Sequence, residues 1–341
     1  MSLRVGVVGA GNMGADHIRT LHHFVNGARV QAVADVELDR AEAALASIDG
    51  GHDGWATADP AGLIADPRVD AVVIASSDAT HAEFIAAAVR AGKPVLCEKP
   101  LAPTLDAVLA LRATVGADAA LVSLGFMRRF DPGYAQLKAA IEAGAVGRPL
   151  LLHCVSRGVS SAPGTTTESS VTNSLVHELD VVPWLLSSPV VQVSWQAPSV
   201  TACTDGGFRD PQLVLLRTAD GVLTSCETFQ NAGYGYDIRC EVVGETGTVS
   251  LTEPARVIAD GTGRRSVEYA ADWRPRFAEA YRLELQAWVD EIRVDRVGRA
   301  QSAVLARLMD GARAAAIADA VIESFHHDGR PTDVKLLEDI R

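Results

Sequence analysis

The stretch Arg4-Val5-Gly6-Val7-Val8-Gly9-Ala10-Gly11-Asn12-Met13-Gly14 restricts the possible folds of this chain more than any other. A short apolar strand runs directly into a glycine-rich hexapeptide, after which Ile18, Leu21 and Val25 recur at helical spacing. Strand, tight turn and helix in immediate succession open a βαβ unit whose helix N-terminus can hold a phosphate-bearing ligand. Gly9 permits the turn, Gly11 lets the backbone approach a pyrophosphate, and Gly14 lets helix and strand pack closely, with Asn12 and Met13 completing the loop. A second strand, Val30-Gln31-Ala32-Val33-Ala34, ends at Asp35, 21 residues beyond Gly14. A carboxylate there accepts hydrogen bonds from ribose hydroxyls and repels a 2′-phosphate, so NAD is expected rather than NADP. Arg40, the nearest basic residue, falls too far into the next helix to be read as a phosphate clamp.

Strand and helix then alternate. A helix capped by Asp39 runs to about Ile48, Asp59-Pro60 starts another, and Ala71 to Ala75 is a strand. Thr80 to Ala91 is helical and closed by Gly92, Pro94 to Cys97 is a strand, Thr104 to about Val115 is a helix, and Ala119 to Gly125 is a last strand. Strands apolar on both faces imply a parallel sheet covered by helices on both sides. After about residue 125 the pattern changes. A helix over 132–143 and a strand over 150–155 lead to a Ser/Thr/Gly-rich stretch, 160–170, that reads as a flexible loop. Residues 171–186 are helical in pattern. Strand-like segments follow at 190–196, 211–217, 221–229, 236–243, 247–252 and 264–269, and helices at 275–294 and 301–325. The expectation is an α/β protein: a Rossmann-type, doubly wound parallel sheet over 1–122, then an α+β domain over 123–341 with a large open, mainly antiparallel sheet for substrate binding and oligomerisation.

A net charge of −12 argues against nucleic acid or an anionic membrane as the main partner. No apolar run approaches the roughly 20 residues that span a bilayer, and the first residues run straight into a strand pattern, which leaves no room for a secretory leader. The five cysteines are odd in number, widely spread and without a CxxC pair, which fits reduced thiols in a cytoplasmic protein. No motif suggests a metal site.

Two further features carry chemistry. In Cys97-Glu98-Lys99-Pro100, Lys99 stands at the carboxyl edge of a sheet strand, where open α/β sheets hold their ligands. It reads either as a group that stabilises an alkoxide or as a solvated loop lysine. Asn173, His177 and Asp180 stand at i, i+4 and i+7, on one face of a helix. His177 reads as a general base or as a satisfied core or surface histidine.

The glycine loop, Thr80-His81, Glu98-Lys99-Pro100 and Val176-His177-Glu178-Leu179-Asp180 occur in an order that resembles the family of glucose–fructose oxidoreductase and inositol dehydrogenase (Gfo/Idh/MocA) over essentially the whole chain. Gly125 to Asp131 and Tyr236 to Glu245 resemble its inositol 2-dehydrogenase branch most. The resemblance implies NAD-dependent oxidation of a secondary hydroxyl of a cyclic polyol or sugar, with myo-inositol the best single assignment. Lys99 would hold the alkoxide, His177 would take the hydroxyl proton, and Asn173 would complete the catalytic set. It adds Ser76, His81, Glu98 and Lys99 to the cofactor contacts, and Met127, Arg128, Asp180 and Tyr236 to the substrate contacts. It also implies a proline at position 100 whose preceding bond is often cis, and subunits packed into dimers or tetramers through the C-terminal sheet. Two positions depart from the pattern. Asparagine, which can orient an imidazole but adds no negative charge, stands at 173 in place of the usual aspartate, and Cys154 to Val159 lacks the expected His-Arg-Asn-Pro run. Another sugar or amino-sugar dehydrogenase, or a non-catalytic NAD-binding regulator, are the rival readings.

Overall fold

The computed structural model describes residues 2–48, 53–199, 204, 207–252, 257–294, 302 and 304–335. They form two compact units, Met1–Phe130 with Glu279–Ala315, and Asp131–Ala278 with Ala316–Arg341. The segment Glu279–Ala315 thus groups with the N-terminal portion, whereas a division of the chain at 122/123 leaves it with the rest.

In the first unit, β1 (Leu3–Val8), β2 (Ala28–Ala34), β3 (Trp55–Thr57), β4 (Ala71–Ile74), β5 (Val95–Glu98) and β6 (Val122–Gly125) pair in parallel in the order β6-β5-β4-β1-β2-β3. The order reverses between β1 and β4, the switch point at which such sheets leave room for a ligand. Val5, Val7, Val33, Val72 and Val73 are each 0% exposed, as strands covered on both faces must be. Helices α1 (Asn12–Phe24), α2 (Leu38–Ala46), α3 (Pro60–Ala65), α4 (Asp78–Arg90) and α5 (Leu105–Val115) supply the cover. Ile18 and Leu21 of α1 are fully buried in a core that also takes Trp288 and Val289. Each such aliphatic side chain contributes about 1.5–3 kcal/mol. The expected doubly wound sheet is therefore present, with local differences. Glu37, not Asp39, precedes α2, and its side chain makes no capping bond; Asp39 lies inside the first turn, where its charge favours the helix dipole instead. Gly116–Leu121 is a 3₁₀ turn, so the last strand starts at Val122 rather than Ala119. The three-residue β3 is too short to show a period in sequence.

The second unit contains α6 (Pro132–Glu142), β7 (Pro149–Arg157), α7 (Thr167–Ser170), α8 (Val176–Leu186), β8 (Val190–Gln196), β9 (Gln212–Thr218), β10 (Leu223–Phe229), β11 (Asp237–Gly244) and β12 (Thr248–Ser250). Its sheet runs β12-β11-β7-β10-β9-β8, with Thr332–Asp333 at the β8 edge. The β7–β10 pair is parallel and the others antiparallel, as expected of a mainly antiparallel sheet. Residues of β9 alternate strictly between buried and exposed, so one face is covered and the other open. On the covered face Cys154 stands directly opposite Cys226 on one side and Cys240 on the other. The hydrogen bond with Cys154, together with burial, pushes the Cys226 thiol well up, which keeps it protonated and inert.

Three expectations are corrected here. The stretch 160–170 is not all loop: Thr166 accepts from the Ser169 N–H at 3.1 Å while Ser169 returns a bond to the Thr166 N–H, and this capping box starts α7. The helix over 171–186 is two pieces, a π turn at Val171–Leu175 followed by α8. The last helix, α10 (Leu308–His326), begins at 308 rather than 301, because Ala306–Arg307 pairs as an antiparallel edge strand with β6; residues 301 and 303 lie outside the described set. The helix expected over 275–294 is α9 (Trp273–Val294). Among the described residues no helix is long and apolar enough to cross a membrane.

Candidate active site

The glycine loop joins β1 to α1 at the switch point. Gly9 has φ +94°, and a Cβ there would fall 2.5 Å from the Ala75 carbonyl oxygen. A Cβ on Gly14 would fall 1.8 Å from the Gly9 carbonyl oxygen, so neither position accepts a side chain without moving backbone. Gly11 differs: a Cβ there would meet nothing within 4 Å, so glycine at this position keeps the space over the loop clear. Asn12 and Met13 form the first residues of α1, whose N–H groups have no acceptor within the helix. Asp35, 7% exposed, accepts from the Ala10 N–H at 2.8 Å and the Glu37 N–H at 3.0 Å. Two backbone donors pin the carboxylate while leaving it acceptor capacity for a diol. An open cradle over Gly11, a helix N-terminus and a pinned carboxylate fit a dinucleotide and its ribose. The sequence reading of Arg40 is corrected: it lies in the first turn of α2, and its guanidinium reaches back to 3.5 Å from Asp35 and 2.5 Å from Glu37.

Lys99 follows β5, half-buried, and the Lys99–Pro100 bond is cis, as the resemblance implies. Beside it Glu98 is buried and its Oε1 accepts from Nε2 of His17, on α1, at 2.7 Å. Its Oε2 lies 3.3 Å from the Lys99 N–H. Burial by itself pushes the Glu98 carboxyl up; the His17 hydrogen bond and the positive potential of His17, Lys99 and His81 outweigh it and hold the group below the ordinary glutamate value. A Cβ on Gly125 would sit 3.2 Å from that carboxylate, which explains the glycine on β6. Ser76 shares a 2.7 Å hydroxyl contact with Thr80. His81, buried, spans the Pro100 carbonyl at 2.7 Å and the Ser76 carbonyl at 3.1 Å, so it ties the ends of β4 and β5 together. Both ring nitrogens are thus engaged by backbone carbonyls. Met127 and Arg128, in a 3₁₀ turn after β6, are each 1% exposed.

The lowered Glu98 value has a measurable consequence. A carboxyl depressed on folding stabilises the protein fully above its unfolded value, near 4.5, and that contribution is lost as pH falls through the lower folded value. His17→Leu leaves a buried carboxylate without its donor and is expected to cost about 3 kcal/mol at pH 7. The gap from the parent protein should then narrow as pH falls toward 4, because the variant's Glu98, buried without its donor, takes up a proton at a higher pH than the parent's. Thermal unfolding from pH 7 to 4 checks this; a gap independent of pH would show that the contact is packing alone.

In the second unit, Asn173 lies within the π turn and is exposed, His177 sits one residue into α8 and is half-buried, and Asp180 is 3% exposed. The π turn is wider than an α turn and departs from the simple i, i+4 relation read from sequence; such turns recur at functional sites. Tyr236 bridges to Ala270 through backbone and packs edge-to-face on Phe277, ring centroids 6.3 Å apart. The structure therefore groups the glycine loop, Asp35, Ser76, His81, Glu98, Lys99, Met127 and Arg128 in the first unit, and Asn173, His177, Asp180 and Tyr236 in the second. Sequence reasoning missed His17, because its partner is 81 residues away. It also missed Glu37, whose position three residues before Arg40 was a readable signal.

Comparison with known proteins agrees with this geometry. Residues 3–126 match a family model described as oxidoreductase family, NAD-binding Rossmann fold, and residues 134–250 match the GFO/IDH/MocA C-terminal domain. The chain is 50% identical to inositol 2-dehydrogenase 2 of Paenarthrobacter aurescens over 98% of its own length and 99% of that protein's. It is 46% identical to inositol 2-dehydrogenase 1 of Saccharopolyspora erythraea, covering 99% and 98%. The crystal structure of myo-inositol dehydrogenase from Lactobacillus casei in complex with NAD(H) and myo-inositol superposes with a TM-score of 0.90 at 30% identity, covering 98% of each chain. With both halves matched and the glycine loop and Asp35 carboxylate built as a dinucleotide requires, the chain belongs to the GFO/IDH/MocA family of NAD-dependent oxidoreductases.

Proposed function

We propose that this protein oxidises a secondary hydroxyl of a cyclic polyol, with carbon 2 of myo-inositol as the reacting position. The observation that carries this reading is 50% identity over 98% of this chain and 99% of the relative with an inositol 2-dehydrogenase, in a chain that carries both Lys99 and His177. Bound NAD supplies the hydride acceptor at its nicotinamide ring. The protein's own residues handle the proton and the charge. His177 takes the hydroxyl proton, for which a histidine is suited near neutral pH. Lys99 donates a hydrogen bond to the same oxygen and stabilises its developing negative charge. Asn173 orients the imidazole, and Met127, Arg128, Asp180 and Tyr236 serve as substrate contacts.

A second reading, a sugar or amino sugar as substrate, is favoured by the region around Arg157. The segment Cys154 to Val159 lacks the His-Arg-Asn-Pro run expected in the inositol branch, and Arg157 is tied by two bonds, 2.6 and 2.9 Å, to Glu227. The test is steady NADH formation with myo-, scyllo- and D-chiro-inositol and a set of sugars and amino sugars. Fastest turnover of myo-inositol, with 2-keto product, is the expected result. Turnover of sugars with none of the inositols would replace it with the second reading.

The open face of the second unit's sheet exposes Leu151, Leu213, Leu215 and Leu223, which supports subunit packing through that face into a homodimer or homotetramer. The buried free thiols of Cys97, Cys154, Cys226 and Cys240 suit a reducing compartment, and we assign the protein to the cytoplasm.

A further inference from the structure

We infer that Arg40 is a latent contact for the 2′-phosphate of NADP, kept silent by Asp35 and Glu37 acting together. On this view cofactor choice is set by two acids that occupy a base, not by the want of a base. The inference concerns the adenosine end of the cofactor and stands apart from the polyol assignment.

Three observations carry it. Asp35 cannot turn away, because its carboxylate is held by the N–H groups of Ala10 and Glu37 at 2.8 and 3.0 Å. The Arg40 guanidinium lies 3.5 Å from that same carboxylate, which places a cation beside the group that recognises ribose hydroxyls. Glu37 closes on Arg40 at 2.5 Å from the solvent side, where its own side chain is 71% exposed. The local sum is two negative charges against one positive. A planar guanidinium is well matched to phosphate, but here it is spent on carboxylates and faces a dianion with a net negative neighbourhood.

The charge count predicts a synergy. Removing Asp35 alone leaves Arg40 neutralised by Glu37. Removing Glu37 alone leaves the Asp35 charge against the phosphate. Removing both leaves a single unopposed cation at the 2′ position. The effects of the two substitutions should therefore be strongly non-additive.

The experiment is a fluorescence titration with NADH and NADPH, which needs no polyol and so can fail independently of the substrate assignment. Parent protein, Asp35→Ser, Glu37→Gln, the double variant, and the double variant carrying Arg40→Ala are compared, with thermal unfolding to confirm that each is folded. The parent should prefer NADH. Each single variant should gain little NADPH affinity, and the double variant about 10- to 100-fold, the range that a charge-assisted hydrogen bond supplies. Arg40→Ala in the double background should abolish the gain. The inference is overturned if the gain survives Arg40→Ala, or if Glu37→Gln adds nothing to Asp35→Ser. It is equally overturned if all folded variants keep the parent's NADPH affinity.

Discussion

Lys99→Ala should lower kcat/KM for polyol oxidation by about 10²- to 10³-fold, the loss seen when one donor to a developing oxyanion is removed. The lysine directly follows the buried parallel strand β5, and its N–H lies beside the Glu98 carboxylate, so truncation of its side chain should leave the fold intact. With Gly9, Gly11, Gly14 and Asp35 as the main dinucleotide contacts of this proposal, NADH affinity should fall by less than about tenfold, under 1.4 kcal/mol. Stopped-flow or steady-state kinetics with a parallel NADH titration distinguishes the two effects. An equal loss in binding and turnover would make Lys99 a cofactor contact only. Unchanged turnover would remove it from the chemistry.

His177→Gln should cost about 10²- to 10⁴-fold in kcat, as expected for a general base, and should abolish the acidic limb of the pH–rate profile. Glutamine preserves hydrogen bonding and approximate size but cannot take a proton at neutral pH. A purely structural role would lower activity without changing the shape of the profile. The parent profile should rise with pH through the histidine range, since oxidation needs the imidazole neutral before it accepts the proton. A profile of unchanged shape in His177→Gln would assign the base elsewhere.

Much of the fold was readable because its signals are local. The glycine loop between β1 and α1, the apolar runs of β4 and β5, and the alternation along β9 each reflect a rule of period or sterics that operates within a few residues. The errors arose where tertiary contacts outweighed local preference. Ala306 and Arg307 read as helix but pair with β6, because an open sheet edge offers backbone partners to a short segment. The π turn at Val171–Leu175 left no compositional mark. Arg40 looked remote from Asp35 in sequence, yet one helical turn returns it to the carboxylate.

The sequence by itself determined the class of fold, the dinucleotide loop and the candidacy of Lys99 and His177, since glycine sterics, strand period and residue chemistry are properties of short stretches. Only the tertiary structure decided that His17 holds Glu98, that three cysteines from separate strands stand in one row, and that Arg40 reaches Asp35 as well as Glu37. The first two depend on strand order and register, which bring together residues up to 86 positions apart, and the third on the turn of α2 that carries Arg40 back to the end of β2. Pairings at that range are fixed by the packing of the whole unit and leave no periodic trace along the chain.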